Sequence, residues 1–188
     1  LNKIIIIAAP SGSGKTTIVK QLLAHLPQLK FSISACTRQP RAGEVEGKDY
    51  YFISVDAFEQ HISQNDFVEW EMVYAGKYYG TLKSEMERIW QGNQCPLIDI
   101  DVMGALNVKQ QYGTQALALF IQAPSIEILE QRLKQRGTET PESLQERVNK
   151  ASHELTYADQ FDAVVVNDVL EVAVEEVLQK VRTFMAIH

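Results

Sequence analysis

Ala9-Pro10-Ser11-Gly12-Ser13-Gly14-Lys15-Thr16 is the stretch of this 188-residue chain with the clearest chemical meaning. A small residue, four spacers and Gly-Lys-Thr form a pattern whose glycines let successive backbone N–H groups turn inward around phosphate oxygens. The pattern follows a strand-like apolar run and precedes a helix-like stretch. The positive end of that helix would then face the same anion. In such a loop Lys15 bridges the β- and γ-phosphates of a nucleotide and Thr16 holds Mg²⁺. Ser11, Gly12, Ser13, Gly14 and Thr17 complete the expected contacts. Ala9 stands where a glycine is usual, which the loop tolerates if the φ of Ala9 is negative.

Two further groups bear charge at telling positions. Asp99 and Asp101 are two residues apart at the end of the apolar Leu97-Ile98 run. A strand there would point both carboxylates to one face, at the carboxyl end where open α/β sheets bind ligands. Asp99 suits a Mg²⁺–water network and Asp101 a second substrate. Arg38 and Arg41 flank Pro40 in a polar loop, and Arg132, Arg136 and Arg147 form a second cluster. Arg132 and Arg136 are spaced to share one helix face. Arginine forks grip phosphate in bidentate fashion. The plain alternative is surface ion pairing with Glu127, Glu130 and Glu146.

The elements that must position these residues can be read from periodicity. Lys3 to Ala9 reads as a buried strand, 15–25 as a helix and Phe31 to Ser34 as a second strand. Residues 38–48 read as a loop. Asp49 to Ile53, Phe67 to Tyr74 and Lys77 to Thr81 read as short strands, framed by helices near 55–63 and 82–91, with Ala75-Gly76 as a turn. Strands at 97–100, 116–122 and 163–166 then alternate with helices at 103–112, 126–135, 140–155 and a closing helix from Leu170. Thr140-Pro141-Glu142 has the order of a helix N-cap, a first-turn proline and a first-turn acid. Alternation of this kind implies an α/β fold, a mostly parallel sheet with helices on both faces. Residues 1–33, 91–125 and 157–188 form its core, and 34–90 and 126–156 are insertions.

Composition narrows the functional classes. A 45% hydrophobic, 22% charged chain of this length is one ordinary globular domain. A net charge of −6 argues against gripping a nucleic-acid backbone. The longest apolar runs are far short of a membrane span, and no charged-then-apolar leader opens the sequence. Cys36 and Cys95 lie far apart and read as reduced thiols, so the expected compartment is the cytoplasm. The histidines show no ligand spacing. Trp70, beside Glu69, reads as a pocket wall or as core. Monomer and homo-oligomer both stay open.

Taken together, these residues resemble the nucleoside monophosphate kinases, and most closely the guanylate kinases. The resemblance rests on Ala9 to Thr16, Thr37-Arg38-Gln39-Pro40-Arg41-Ala42-Gly43-Glu44, Gly47-Lys48-Asp49-Tyr50, Phe67-Val68-Glu69-Trp70 and Tyr78-Tyr79-Gly80-Thr81. It continues through Asp99-Ile100-Asp101, Arg136-Gly137-Thr138-Glu139-Thr140 and Val166-Asn167-Asp168. It implies a P-loop kinase core, with 34–90 as a small mixed α+β GMP-binding domain and 126–156 as a helical lid. The implied reaction moves the γ-phosphoryl group of ATP to GMP with Mg²⁺. Arg38, Arg41, Tyr50 and Tyr79, with Gly80 beside it, would take the GMP phosphate. Ser34, Glu69, Thr81 and Asp101 would read guanine. Arg132, Arg136 and Arg147 would close on the transferring group, and Asn167 would lie by adenine. Lys15, Arg38, Asp99 and the lid arginines would be the catalytic set. Two alternatives remain: a non-catalytic binding module of the same family type, and a kinase of another small phosphorylated acceptor.

Overall fold

In the computed structural model, residues 2–135 and 140–186 are described. Arg136 and the rest of 136–139 lie outside them. The chain divides into two compact units. One is Lys30–Pro96; the other comprises the segments before and after it.

The discontinuous unit is built on β1 (Ile4–Ala8), which is buried at every position. Four isoleucines and an alanine give it no polar face, as a strand covered on both sides requires. β1 belongs to a five-stranded sheet with β8 (Ala116–Gln122), β9 (Ala163–Val166), β7 (Cys95–Asp99) and β2 (Leu29–Phe31), in the spatial order β2-β7-β1-β8-β9; the division of the chain falls within β2 and β7. Pairing is parallel from β7 through β1 and β8 to β9. Helix α1 (Lys15–His25) leads from β1 towards β2, and α4 (Val102–Tyr112) leads from β7 across to β8. These crossovers run in opposite directions along the sheet, so right-handed connections put α1 and α4 on opposite faces. Helices α5 (Ile126–Gln135) and α6 (Pro141–Leu155) pack on each other through Leu129, Leu133 and Ala151. Helix α6 starts with a capping box between Thr140 and Ser143 and with Pro141 in its first turn. Helix α7 (Leu170–Ala186) closes the fold, burying Ala173, Val174, Val177, Leu178 and Val181.

The continuous unit has its own sheet, in the order β4-β3-β6-β5. Its strands are β3 (Ala35–Cys36), β4 (Tyr51–Phe52), β5 (Phe67–Tyr74) and β6 (Lys77–Leu82). The β3–β4 pair is parallel, and the β3–β6 and β5–β6 pairs are antiparallel. Helix α2 (Val55–Ser63) lays Phe58 on one sheet face, against Ala35, Phe67, Tyr78 and Leu82. Helix α3 (Lys83–Gln91) follows β6 directly. The second strand expected at 31–34 divides here into β2 and β3, with Ser32, Ile33 and Ser34 between them. The chain thus leaves one sheet and joins the other within a few residues, which a single apolar run does not reveal.

Gly80 sits in β6 between Ala35 on one side and Trp70 on the other. A Cβ there would lie 2.9 Å from the Glu69 carbonyl, the Phe67 ring and the Trp70 Cβ. The variant Gly80→Ala should therefore lose about 1–3 kcal/mol of stability by overpacking, read as a lower urea midpoint. An unchanged midpoint would contradict this packing.

Candidate active site

The phosphate loop joins β1 to α1. Its geometry comes from Gly14, which caps α1 at φ 88° in the left-handed region. A side chain there would be strained, and a Cβ would run into the amide of Asn167. Ala9 fits: among the described residues only Asn65 and Asn93 combine positive φ with a side chain. Ser13 is wholly buried, and its hydroxyl has no hydrogen-bond partner among the described residues. A buried polar atom in that position suits a polar ligand at the loop.

Other elements of the same unit fix the loop. Asn167, just past β9, donates from Nδ2 to the Ser13 carbonyl at 2.8 Å and from its backbone N–H to Gln122 O at 2.8 Å. Its own carbonyl accepts from Arg132 Nη2 at 3.0 Å. Arg147 Nη1 donates to Ser11 Oγ at 3.0 Å. Both arginines thus meet the loop or its support. Lys15 pairs with Asp99 and also lies 3.4 Å from Ile100 O. A cavity of about 390 Å³ opens beside the loop, lined by Gly12, Gly14, Arg132, Gln135, Asn167 and Asp168 among others. Sequence reasoning missed Gln135, whose helical position carries no motif.

Asp101 departs from the expected pairing with Asp99. Strand β7 ends at Asp99, and Asp101 is the N-cap of α4, its Oδ1 accepting from Gly104 N at 2.8 Å. The two carboxylates are therefore not on one strand face. An acid ahead of a helix satisfies an orphan N–H there, and that local demand overrides the strand period.

In the continuous unit the sheet face opposite α2 is polar. Tyr79 and Thr81 alternate onto it from β6. Glu69 pairs across from Thr81, and the Thr81 hydroxyl donates to Glu69 Oε1 at 2.7 Å. By the β3–β6 register Ser34 falls opposite Thr81. Strict alternation along β5 would put Phe67 and Glu69 on the same face. Between them the register shifts: Phe67 pairs with Leu82 and Glu69 with Thr81. That bulge at Val68 turns Phe67 to the core and Glu69 to the polar face. Trp70 consequently points away from Glu69; it is 45% exposed and tilts 6.1 Å from Tyr78. It walls no pocket on the Glu69 side, contrary to that expectation.

Arg38 is held from several directions. Its Nε donates to Tyr79 Oη at 3.1 Å, and its two Nη atoms fork onto Glu44 at 2.5 and 2.7 Å. The guanidinium lies 4.8 Å from the Tyr50 ring centre. Glu44 also accepts from the Arg41 N–H at 2.8 Å. The Arg38 bonds, then that N–H, hold the Glu44 carboxyl down at about 2. Burial pushes the Tyr50 phenol up, so it stays a neutral donor. Tyr78, on the other face, stacks on Phe58 at 5.1 Å. Cys36 and Cys95 are buried and in no disulfide, and burial raises the Cys36 thiol. No helix among the described residues is long and apolar enough to cross a membrane.

The chain is similar over nearly its whole length to known proteins. The family model described as guanylate kinase matches residues 1–184. The guanylate kinase of Bacteroides fragilis is 48% identical over 98% of this chain and 91% of its own length. That of Porphyromonas gingivalis is also 48% identical, over 99% of this chain and 100% of its own. The crystal structure of guanylate kinase from Anaplasma phagocytophilum superposes with a TM-score of 0.74 at 28% identity, covering 96% of this chain and 85% of that one. With the family model spanning nearly the whole sequence and relatives this similar along their full length, the chain belongs to the guanylate kinase family.

Proposed function

We propose that this chain transfers the γ-phosphoryl group of ATP to GMP, giving ADP and GDP, and that it does so in the cytoplasm. The observation that carries the reading is the polar sheet face of the continuous unit. Arg38 with Tyr79 makes an anion clamp there, and Glu69 with Thr81 makes a base reader. Guanine presents N1–H and a 2-amino group, two donors that a carboxylate accepts together. Adenine offers an unprotonated N1 and would leave Glu69 facing a lone pair, a mismatch strongly disfavoured at a buried polar site. Ser34 and Asp101 add further polar contacts to guanine. Arg41, Tyr50 and Gly80 complete the phosphate clamp.

ATP belongs to the phosphate loop, with its base in the cavity beside Asn167. Residues 34–90 act as the GMP-binding insertion and 126–156 as the lid over the core. The donor set also fits Mg²⁺. Thr16 is exposed on the first turn of α1, and Asp99 ends the neighbouring strand β7. No group of three or more His, Cys, Asp or Glu able to hold a metal occurs among the described residues. Thr16 and Asp99 would hold Mg²⁺, largely through water, and it would neutralise charge on the phosphate oxygens.

The remaining chemistry falls to the chain itself. Phosphoryl transfer needs little covalent help and depends on positioning and charge stabilisation. Lys15 and the loop N–H groups hold the β- and γ-phosphates. Arg132, Arg136 and Arg147 offset charge on the transferring group, and Arg38 fixes the accepting phosphate. Closure of the lid excludes water and so suppresses ATP hydrolysis. A binding module without catalysis would have no use for a lysine, a carboxylate and arginines gathered at the loop.

The test is ADP production from MgATP with GMP, dGMP, AMP, UMP, CMP and dTMP in parallel. Turnover should be confined to GMP and dGMP; turnover only with another acceptor would overturn the guanine assignment. The variant Lys15→Ala should lose about a thousandfold in kcat or more while staying folded; near-normal turnover would remove the phosphate-loop role. In Glu69→Gln an amide N–H₂ faces guanine's donors. KM for GMP should rise at least about a hundredfold with KM for ATP unchanged. Equal GMP affinity in titration would show that Glu69 does not read the base.

A further inference from the structure

Glu85, in the first turn of α3, is a carboxylate that the proposed reaction does not use, and it is only 3% exposed. Arg88 forks onto it, Nη2 to Oε1 and Nε to Oε2, both at 2.8 Å. Each oxygen then takes one more bond from a different segment. Oε1 accepts the Ile33 backbone N–H at 3.0 Å, and Oε2 accepts the Tyr51 hydroxyl at 2.9 Å. Burial pushes this carboxyl up, but the Arg88 fork, the Ile33 N–H and the Tyr51 hydroxyl outweigh it and hold it below the usual range. It is a carboxylate at neutral pH.

Each tied segment borders a residue of the GMP site. Ile33 precedes Ser34, and Tyr51 follows Tyr50. The Tyr51 N–H also donates to the Ser34 carbonyl at 2.9 Å. Helix α3 begins directly after Thr81-Leu82. Only the carboxylate of this pair is buried, the Arg88 side chain being 48% exposed. A buried carboxylate is tolerated only when its lone pairs are met by well-placed donors, which imposes a defined geometry. Here the fork fixes the carboxylate plane, and the two remaining lone-pair directions fix where the Ile33 and Tyr51 segments lie against α3.

We infer that Glu85 is a positioning residue for GMP, holding the segments that carry Ser34, Tyr50 and Thr81 in register. It acts through its neighbours and touches no substrate. The inference rests on the reading of the continuous unit as the GMP site.

The experiment compares the full chain with Glu85→Gln, Tyr51→Phe and the double variant, by steady-state kinetics and by calorimetric titration of GMP. Glu85→Gln should raise KM and Kd for GMP about tenfold. At saturating GMP, kcat and KM for ATP should match the unsubstituted protein. Tyr51→Phe removes one bond and no charge, so it should raise the same GMP constants by less. The double variant should be no worse than Glu85→Gln, since both changes break the same contact. A lower melting temperature with GMP constants unchanged would make Glu85 a structural anchor only and overturn the inference. So would strictly additive effects in the double variant. If Glu85→Gln does not fold, Tyr51→Phe decides: an unchanged KM for GMP overturns the role. If the unsubstituted protein binds no GMP, the proposed function falls. If it binds GMP and Glu85→Gln binds it equally well, only the positioning role falls.

Discussion

A parallel sheet ends all its strands on one side, and the phosphate-loop unit is organised by that constraint. β1, β7 and β9 each finish beside the loop. They deliver in turn the loop itself, Asp99 and Asn167. None of these residues is near another in sequence. Their meeting follows from the direction of the strands and from the helices that cover both faces. Its inner strands β1, β7 and β8 are built mostly of buried Ile, Leu, Ala and Phe, so the sheet can be rigid where the loop needs support. Asn167 illustrates the result. One residue satisfies a loop carbonyl, a strand carbonyl and an arginine of α5, and so ties the loop into a fixed frame.

The continuous unit solves a different problem, because a small mixed sheet can be buried on one face only. Helix α2 takes the face with Ala35, Phe67 and Tyr78. The opposite face can then be polar without disturbing the core. The unit's charged groups are paired at two places: Arg38 meets Glu44, and on α3 Glu85 meets Arg88. An acidic chain can therefore present anion sites, since recognition depends on how a few donors are aimed and little on the sign of the total charge.

Much of this was legible in the sequence because the signals were local. Gly-Lys-Thr after an apolar run fixes the loop, and α1, β5, β8, α5 and β9 carry periodicities strong enough to place them. The capping residues of α6 announced its start. The failures share a cause: each depends on a partner far along the chain. The division of 29–36 between two sheets is decided by pairing with β7 on one side and β6 on the other. Asp101 follows the apolar run closely enough to look like strand, yet the first turn of α4 claims it.

The bulge at Val68 is the sharpest case. Period-two reading assigns Phe67, Glu69 and Glu71 to one face, which would put a phenylalanine in solvent or two acids in the core. Neither is physically acceptable, so the conflict itself marks the position where an extra residue must enter the strand. The structure places it between Phe67 and Glu69. A base-reading carboxylate and a core aromatic can then be near neighbours in sequence and opposed in space. An apolar residue ahead of Val-Glu-Trp is therefore no obstacle to a polar site at Glu69. It is the anchor that holds the strand against α2, while the register shift turns the carboxylate the other way.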